Sequence, residues 1–555
     1  MKNFNLIVLN IVLSTTIVFA GGSRQDNATP STRGGATNFD PVGKYNPPVT
    51  ISWGISTSSV QQFKKGDTYA NNIWTRKFRD DLGISLTVGF SADGASLAYE
   101  NQITLGIAAG DLPDVLRISN YRLFEQGALS GLWADLSTLY DQYADDWMKM
   151  IKQKYPSAFD YASVDGKLYG IPPLNDNRQF ASLLWIRDDW LKNLGLKAPT
   201  TVDEMIAIAR AFTFNDPDKN GKNDTYGLAL HNRLVDDNFG HINGLLSAFG
   251  VPAYTHVMYY RGADGKMTYA YLDPRVKEAL RILAQMYKEG LIDPEFTVKD
   301  VNKIADDIAS GRVGMEYGLQ WGTWWPWNGL YTASGVTAHP YPIPQQSGYS
   351  PKIGYPSNVA GGDITVISAK HKNPEVLIKM FNLYNRTVNP YMSDEVYAVY
   401  DADEQYRFAP TWINEPLETN YQPLLQAAFD KNSPQGMPTN LVSRYNQILD
   451  FAAGKNKSTD AYGLWGQYSN EGSMYIIMNN YVPNGFLIES ILGAVWPQSL
   501  IDADASLQKI TLQAFTEIIT GIRPVDTGYD SYVRDWLRAG GQRVLNDLEK
   551  LYPAR

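Results

Sequence analysis

The sequence predicts an α/β protein built around a parallel β-sheet. Between residues 49 and 118, strand-like and helical segments alternate in the order strand, helix, strand, helix, strand. This order is typical of a parallel sheet whose strands are joined by helical crossovers. With 555 residues, of which 44% are hydrophobic and 19% charged, the chain can bury a large core and is long enough for about two to four domains.

The charge balance argues against a polyanionic partner. The net charge is -9, the isoelectric point is near 5.2, and lysines and arginines form no continuous block. We therefore expect binding neither to nucleic acid nor to an anionic membrane surface. The 14 Trp and 35 Tyr exceed what a core of this size usually needs, which points toward a sugar-binding surface.

The first 20 residues have the pattern of a signal peptide. Lys2 provides a positive charge, an apolar run extends from Leu6 to Phe19, and Ala20 ends a small-residue cleavage pattern. The run is too short and too polar for a membrane span of about 20 apolar residues. We therefore expect residues 1–20 to direct export.

The next residues resemble a lipobox that lacks its cysteine. Gly22 occupies the position of the acylated Cys, and the chain contains no Cys. Without a thiol there is neither a lipid attachment point nor a disulfide, so we expect a free periplasmic or secreted protein. Residues 21–48 are rich in Gly, Ser, Thr, Asn and Pro, and this composition predicts a disordered tether.

The regular elements then follow from hydrophobic periodicity and capping signals. The predicted sheet segments are the strand Val49–Ile55, the helix Tyr69–Leu82, the strand Ile84–Val88, a helix ending at Ala109, the strand Val115–Ile118 and the later strand Ile364–Ile367. Two helices in the middle of the chain have capping signals that predict where they begin. Thr201 and Glu204 match a capping box, and Asp273-Pro274 provides a cap and a proline at the first turn of a helix that Gly290 ends.

An EF-hand-like motif occupies residues 216–224. The sequence DPDKNGKND follows the template D-x-[DN]-x-[DN]-G, in which alternate residues present oxygen atoms to one centre and the glycine allows a sharp turn. These oxygen ligands suit a structural calcium ion. The expected ligands are the side chains of Asp216, Asp218, Asn220 and Asp224 and the carbonyl of Lys222. Gly227 stands where an EF-hand has its bidentate Glu, so a polar turn without metal remains the alternative.

Signals for catalysis are weak. The chain has five His and no H-E-x-x-H pattern, no G-x-G-x-x-G or Walker A sequence, and no G-x-S-x-G elbow, which argues against the corresponding zinc, nucleotide and hydrolase sites. Its carboxylates are numerous enough to supply a glycosidase pair, but spacing along the chain cannot reveal one. An exported glycan-degrading enzyme, a glycoside hydrolase or lyase, therefore remains an alternative.

Residues 321–327 contain four Trp, interrupted by Gly and Pro. This composition does not fit a buried helix or a central strand, so several rings should be partly exposed on a loop and available to stack on sugar rings. In the alternative, half of the rings fill the core, with Trp325 or Trp327 favoured for that role. Trp185 and Trp496 are further stacking candidates.

Several phrases resemble family 1 extracellular solute-binding proteins, in the large lipoprotein-type branch that includes alginate-oligosaccharide binders. They span most of the chain and include 110–114 (GDLPD), 166–172 (GKLYGIP), 184–201 (LWIRDDWLKNLGLKAPTT), 287–296 (YKEGLIDPEF) and 532–536 (YVRDW). The resemblance implies a helix-rich, two-lobed periplasmic-binding-protein fold with the ligand in a cleft that closes by hinge motion. It also implies a calcium loop at residues 216–224, although Thr225 stands where the family often has an acidic ligand.

The resemblance further implies that the chain crosses between the lobes near residues 173–182 and 360–363. We expect residues 49–178 and 364–470 to form lobe 1, and residues 179–363 and 471–555 to form lobe 2. The ligand candidates at the crossings and the aromatic segments are Asn177, Arg178, Trp185, Glu316, Tyr317, Trp321, Trp324, Trp327, Asp363 and Trp496.

The leading hypothesis is a monomeric substrate-binding protein of an ABC transporter. It would capture an oligosaccharide in the interlobe cleft, deliver it to the membrane permease and perform no chemistry. Besides the enzyme alternative, a surface or signalling protein could use the same pair of lobes to report a ligand to a sensor.

Overall fold

The computed structural model describes residues 39–57, 63–93, 98–358, 362–388, 408–411, 413, 417–437, 439–493 and 495–553. The predicted signal peptide, Gly22, most of the tether and residues 359–361 of the second crossing lie outside these ranges.

Strands and helices alternate along the described chain. The strands are Val49–Thr57, Ile84–Asp93, Val115–Ile118, Ser163–Val164, Lys167–Leu168, Gly170–Ile171, Leu183–Arg187, Tyr226–Leu228, Tyr259–Arg261, Met267–Tyr269, Val313–Gly318, Ala338–Tyr341, Ile353–Tyr355, Ile364–Ile367 and Leu487–Glu489. The α-helices are Ile73–Lys77, Ala98–Ala109, Tyr121–Leu129, Ser137–Tyr143, Asp146–Lys154, Pro156–Tyr161, Asp188–Leu194, Val202–Phe214, Asn243–Ala248, Arg275–Lys288, Val301–Ala309, Trp327–Ser334, Val376–Val388, Leu417–Lys431, Thr439–Ala452, Thr459–Tyr468, Ser473–Ile476, Gln498–Ile519, Val525–Trp536 and Gln542–Leu551. Short 3-10 turns cover Asn177–Phe180, Ala270–Leu272 and Phe296–Val298, and wider turns extend three helices over Phe78–Leu82, Ile477–Tyr481 and Leu537–Gly541.

The predicted parallel sheet is present. Val49–Thr57 lies between Ile84–Asp93 and Val115–Ile118 and is parallel to both. Ile364–Ile367 then pairs antiparallel with Val115–Ile118, and Gly170–Ile171 forms the other edge. Because this sheet receives strands from both sides of residues 181–353, the chain leaves it and returns to it.

A second sheet forms in the intervening part of the chain. Its four strands lie in the order Ala338–Tyr341, Leu183–Arg187, Val313–Gly318, Tyr226–Leu228. Leu183–Arg187 is antiparallel to both of its neighbours, and it is buried along its whole length. Such complete burial is expected of a central strand that is covered on both faces.

Two separate hydrophobic cores define two lobes. The first core draws its buried residues from 51–174 and 364–413, and the second draws them from 181–353 and 421–548. Residues 421–468, which the sequence analysis assigns to lobe 1, thus contribute their buried side chains to the second core. Within the described ranges, no helix is both long and apolar enough to cross a membrane.

Local sequence signals fix several boundaries. The side chain of Thr201 accepts from the backbone N of Glu204 at 3.2 Å while Glu204 Oε2 accepts from Thr201 N at 3.1 Å, so the predicted capping box starts the helix at Val202. The helix predicted from Tyr69 instead begins at Ile73, because the side chain of Asn72 accepts the first free backbone N–H groups.

Candidate functional site

The two crossing segments are joined by hydrogen bonds. The backbone N of Asn177 donates to Oδ1 of Asn358 at 2.6 Å, and Nδ2 of Asn177 donates to the carbonyl of Ser357 at 2.7 Å. Asn177 is only 5% exposed, so its polar atoms serve the protein. Asn177 therefore holds the two crossing segments together. Its exposed surface is too small for extensive contact with a ligand.

Glu489, in the second lobe, accepts several hydrogen bonds from the same junction. Its Oε1 accepts from the backbone N of Asn358 at 2.8 Å and from Oγ of Ser357 at 3.1 Å, and its Oε2 accepts from the hydroxyl of Tyr355 at 3.3 Å. The sequence analysis does not identify this residue. Arg178 lies nearby and pairs with Asp176, whose Oδ1 accepts from Nε at 2.7 Å.

The Trp-rich segment divides into buried and half-buried rings. Trp327 is fully buried, as one of the two alternatives for this segment anticipates, whereas Trp321, Trp324 and Trp325 are half-buried. Nε1 of Trp324 donates to Oε1 of Gln467 at 2.8 Å, which directs that ring toward the helix Thr459–Tyr468.

Four ligand candidates lie in the second core and have no surface to offer a sugar. Trp185, Glu316, Tyr317 and Trp327 are all 0% exposed. Nε1 of Trp185 donates to the carbonyl of Leu319 at 3.0 Å, and Nε1 of Trp327 donates to Oε1 of Glu316 at 3.0 Å. Their placement as ligand contacts is therefore corrected: Trp185, Glu316 and Tyr317 are buried in central strands, and Trp327 is buried at the start of the helix Trp327–Ser334.

Burial also changes the ionisation of Glu316. Loss of hydration raises the pKa of Glu316 to about 8, although the hydrogen bond from Trp327 opposes the shift. A buried carboxyl without a cation is disfavoured as an anion, so this group is a neutral acid at pH 7.

A cavity of about 720 Å³ opens on the second lobe, close to the crossings. This volume lies within the range of ligand pockets, about 300–1,000 Å³. Its walls combine aromatic rings with charged and amide side chains. They are formed by Arg233, Val235, Asp236, Asp237, Tyr254, Thr255, His256, Val257, Tyr269, Pro356, Ala505, Gln508, Lys509, Thr511 and Leu512.

Two predicted Trp residues are linked to this cavity by ring contacts, Trp496 directly and Trp321 through Phe180. Trp321 contacts Phe180 edge-to-face with centroids 5.9 Å apart, and Phe180 in turn lies 6.4 Å from Tyr254 in the cavity wall. Trp496 packs against His256 of the wall, with centroids 6.5 Å apart. Trp321 and Trp496 are therefore predicted ligand candidates that lie beside the cavity.

Two ionisable groups of the wall, Arg233 and His256, each lie close to a carboxylate. Nε of Arg233 lies 3.0 Å from Oδ2 of Asp236, which is buried. Burial and the neighbouring Asp236 carboxyl raise the pKa of Asp237. Nε2 of His256 is 3.8 Å from Oδ2 of Asp504, and burial lowers the pKa of His256 against the opposing effect of that carboxylate.

The first lobe contributes polar groups at the end of its sheet. Asp363 forms an ion pair with Arg117, whose Nη2 lies 2.7 Å from Oδ2, and about a quarter of each side chain is exposed. Arg122 makes a direct contact between lobes: Nη1 donates to Oε1 of Gln498 at 2.7 Å, and Nη2 donates to the carbonyl of Trp496 at 3.1 Å.

The EF-hand-like loop is folded around its own oxygen atoms. Oδ1 and Oδ2 of Asp216 accept from the backbone N of Asn220 and Gly221 at 2.9 and 3.1 Å. Gly221 has φ of 75°, and Asp216 and Lys219 also have positive φ, so the chain makes the sharp turn that the template requires.

The donor set of this loop suits a cation. Nδ2 of Asn220 donates to Oδ2 of Asp218 at 2.8 Å and to Oδ1 of Asp224 at 3.1 Å, so three of the predicted ligands converge. Burial and the neighbouring carboxyls of Asp224 and Asp216 raise the pKa of Asp218. Rotation of the Asn220 amide by half a turn would place its oxygen, in place of Nδ2, between the carboxylates of Asp218 and Asp224. No group of three or more His, Cys, Asp or Glu arranged for a metal occurs among the described residues, so any site must use the amide and carbonyl oxygens too.

Sequence reasoning missed most of the cavity wall. Its residues come from three separate segments, 233–237, 254–257 and 505–512, with Tyr269 and Pro356 between them. None of these segments carries a recognisable motif, because residues that come together only in the folded chain need no fixed spacing along it. The adjacent carboxyls of Asp236 and Asp237 are the one local signal that could have marked this surface.

A family model and several known proteins match the chain over shares that range from about two fifths to four fifths of its length. Residues 41–386 match the family described as "Bacterial extracellular solute-binding protein". Lipoprotein LipO of Bacillus subtilis is 24% identical over 82% of this chain and 84% of its own length. The fructooligosaccharide ABC transporter substrate-binding protein FusA of Streptococcus pneumoniae is 28% identical over 41% of this chain and 42% of its own. The polygalacturonan/rhamnogalacturonan-binding protein YtcQ of B. subtilis is 28% identical over 40% and 41%.

Solved structures show the same fold. An HMO-binding, ABC-transporter-associated solute-binding protein from Bifidobacterium longum infantis covers 91% of this chain and 98% of its own, with 16% identity and a TM-score of 0.62. Alginate-binding protein AlgQ2 without calcium ion covers 92% and 99%, with 20% identity and a TM-score of 0.57. These neighbours are two-lobed solute-binding proteins, which confirms the predicted fold. Together with its two cores and the family match, this places the chain in the bacterial extracellular solute-binding protein family.

Proposed function

We propose that this chain is the substrate-binding protein of an ABC importer and that it captures an oligosaccharide between its lobes without changing it. The observation that carries the proposal is the cavity of about 720 Å³ beside the crossing segments, which combines rings such as Tyr254 with charged and amide groups such as Asp237 and Gln508. Relatives named for fructooligosaccharide and for polygalacturonan/rhamnogalacturonan binding support a glycan as the ligand.

The ligand would lie between the second-lobe cavity and the polar edge of the first lobe. Trp321 and Trp496 would extend the aromatic surface, and Asp363 with Arg117 would face the ligand from the first lobe. Arg178 stays a candidate at the junction. The lobe boundaries of the proposal follow the two cores, with residues 421–468 assigned to the second lobe.

Calcium is proposed as a structural ligand of residues 216–224. Asp216, Asp218, Asn220 and Asp224 would supply side-chain oxygens and Lys222 its carbonyl, as in an EF-hand loop. A FusA structure described as an EF-hand mutant supports such a loop among structural neighbours. Bound calcium would neutralise the converging carboxylates and hold the turn in place.

Export, delivery to a permease and a monomeric state complete the proposal. Residues 1–20 would be removed as a signal peptide, and Gly22 would leave the mature protein without a lipid. The N-terminal sequence and mass of protein recovered from the periplasm or medium would test both points.

Calorimetric titration of the mature protein with oligosaccharides, followed by chromatography of the recovered sugars, tests the function. We expect saturable binding and unaltered sugar. Trp496→Ala should weaken binding at least tenfold, because it removes a half-buried ring beside the cavity wall, while Tyr475→Ala, at a half-buried ring outside the wall, serves as the matched control. Shortened sugar would support the enzyme alternative, and absence of binding across the panel would refute the proposal.

A further inference from the structure

We propose that the second-lobe cavity selects an uncharged, hydroxyl-rich sugar over a uronate, and that the Asp237 carboxylate is the acceptor that makes this selection. The inference rests on the proposed function and specifies its ligand class. It follows from the charges of the cavity wall. The wall has two cations, Arg233 and Lys509, and a histidine, but its two carboxyls offset the positive charge.

The carboxylate of Asp237 is placed to meet a ligand. Asp237 is exposed, lines the cavity and lies beside the carboxyl of Asp236. Asp236, by contrast, is 2% exposed and is turned into the protein. Of this adjacent pair, Asp237 is therefore the member that a sugar hydroxyl can reach, and a hydroxyl that donates to a carboxylate forms a strong, charge-assisted hydrogen bond.

The cations of the wall are balanced by acids. Arg233 lies 3.0 Å from Asp236, so the buried carboxylate offsets its charge. Lys509, the second cation of the wall, is exposed, and Asp237 is the second carboxyl of the wall, so two cations stand against two carboxyls there. Burial lowers the pKa of His256 and keeps this ring neutral at pH 7, while Asp504 lies 3.8 Å from it. The wall and its immediate surroundings therefore carry no excess of positive charge.

This balance disfavours a uronate. A uronic oligosaccharide brings one carboxylate per sugar unit, which is favoured by an excess of cations in the wall and is repelled by a carboxylate such as Asp237. A neutral sugar instead offers hydroxyl donors to Asp237 and an apolar ring face to the half-buried Trp496, which packs on His256 of the wall. Specificity would thus arise from attraction of hydroxyls and repulsion of acids at one residue.

Calorimetry with paired ligands tests the inference. Neutral fructo-, xylo-, malto- and human-milk-type oligosaccharides would be titrated beside galacturonate and alginate oligosaccharides of equal length. We expect at least one neutral sugar to bind at least tenfold more tightly than every uronate. Asp237→Asn should reduce that preference at least tenfold, by weakening neutral binding, relieving repulsion of the uronate, or both.

Asp535→Asn is the matched control, since Asp535 is exposed on a helix outside the cavity wall. Asp237→Ser provides a second substitution at the same position. The melting temperature of every variant shows whether a loss of binding comes from a folding defect. Equal or tighter uronate binding by the wild type, or an unchanged preference in both Asp237 variants, would overturn the inference while leaving a sugar-binding function intact. Failure of all sugars to bind would instead refute the proposed function.

Discussion

Replacement of Glu316 by Gln is expected to stabilise the protein at neutral pH. Glu316 is fully buried, and burial raises its pKa from 4.5 to about 8. Oε1 accepts from Nε1 of Trp327 at 3.0 Å, and the backbone N of Gly240 lies 3.5 Å from Oε2. Gln has the shape of the neutral acid and never ionises, so Glu316→Gln removes the penalty for keeping a proton in the core.

The sign follows from proton linkage. Between pH 4.5 and about 8 the folded state retains a proton that the unfolded state releases, so this group lowers the free energy of unfolding progressively as pH rises. Below pH 4.5 both states are protonated and the effect vanishes. At about 1.4 kcal/mol per pH unit, the penalty is about 3 kcal/mol at pH 7, and a poorer contact of the amide with Gly240 costs about 1 kcal/mol. The expected net gain is about 2 kcal/mol.

Thermal unfolding at pH 5 and pH 8 measures this gain. We expect Glu316→Gln to raise the melting temperature by about 2–5 °C at pH 8 and by much less at pH 5. Glu295→Gln, at a side chain that is 72% exposed, is the matched control and should change neither value. A variant that is no more stable than wild type at pH 8, or whose gain is equal at both pH values, would refute the reasoning.

Three further predictions concern other parts of the molecule. Calcium should raise the melting temperature of the wild type at concentrations above its dissociation constant, and Asp218→Ala should abolish the rise, which a chelator series would measure. Arg122→Ala removes two hydrogen bonds between lobes and should increase the radius of gyration in solution scattering, with Arg79→Ala, on an exposed first-lobe helix, as control. Burial lowers the pKa of His231 to about 4 and of His241 to about 3, so stability should fall as pH drops from about 6.5 toward 4, and His241→Gln should reduce that fall in urea unfolding; an unchanged slope would contradict the assignment.

Local signals predicted the fold well because each acts over a few residues. The strands Val115–Ile118 and Ile364–Ile367 have the predicted bounds, since short apolar runs between turns fit a covered sheet. The helix after Thr201 starts where its capping box places it. By contrast, the crossing of residues 421–468 into the second core depends on long-range packing, which hydrophobic periodicity does not encode.

The candidate site was less predictable for the same reason. Tryptophan composition identified Trp321 and Trp496, which lie near the cavity, but it equally selected Trp185 and Trp327, which are buried in the core. A large ring suits a hydrophobic core and a sugar-binding surface alike. The two roles are distinguished only by the strand register, which places Trp185 between Glu316 and Pro340.

A continuous series of contacts connects the junction between the lobes to the candidate site. Glu489 accepts from the backbone of Asn358, Asn358 accepts from the backbone of Asn177, and the turn that begins at Asn177 ends at Phe180. Phe180 touches both Trp321 and the cavity residue Tyr254. A change in the angle between the lobes must act on these crossings, and it would therefore shift the aromatic wall of the cavity directly. Conversely, a ligand held by that wall would favour one angle over others, because it binds the two arrangements with different free energies. If the lobes close on a ligand, as the proposed function requires, the contacts at the junction would couple binding to closure without a separate relay through the cores.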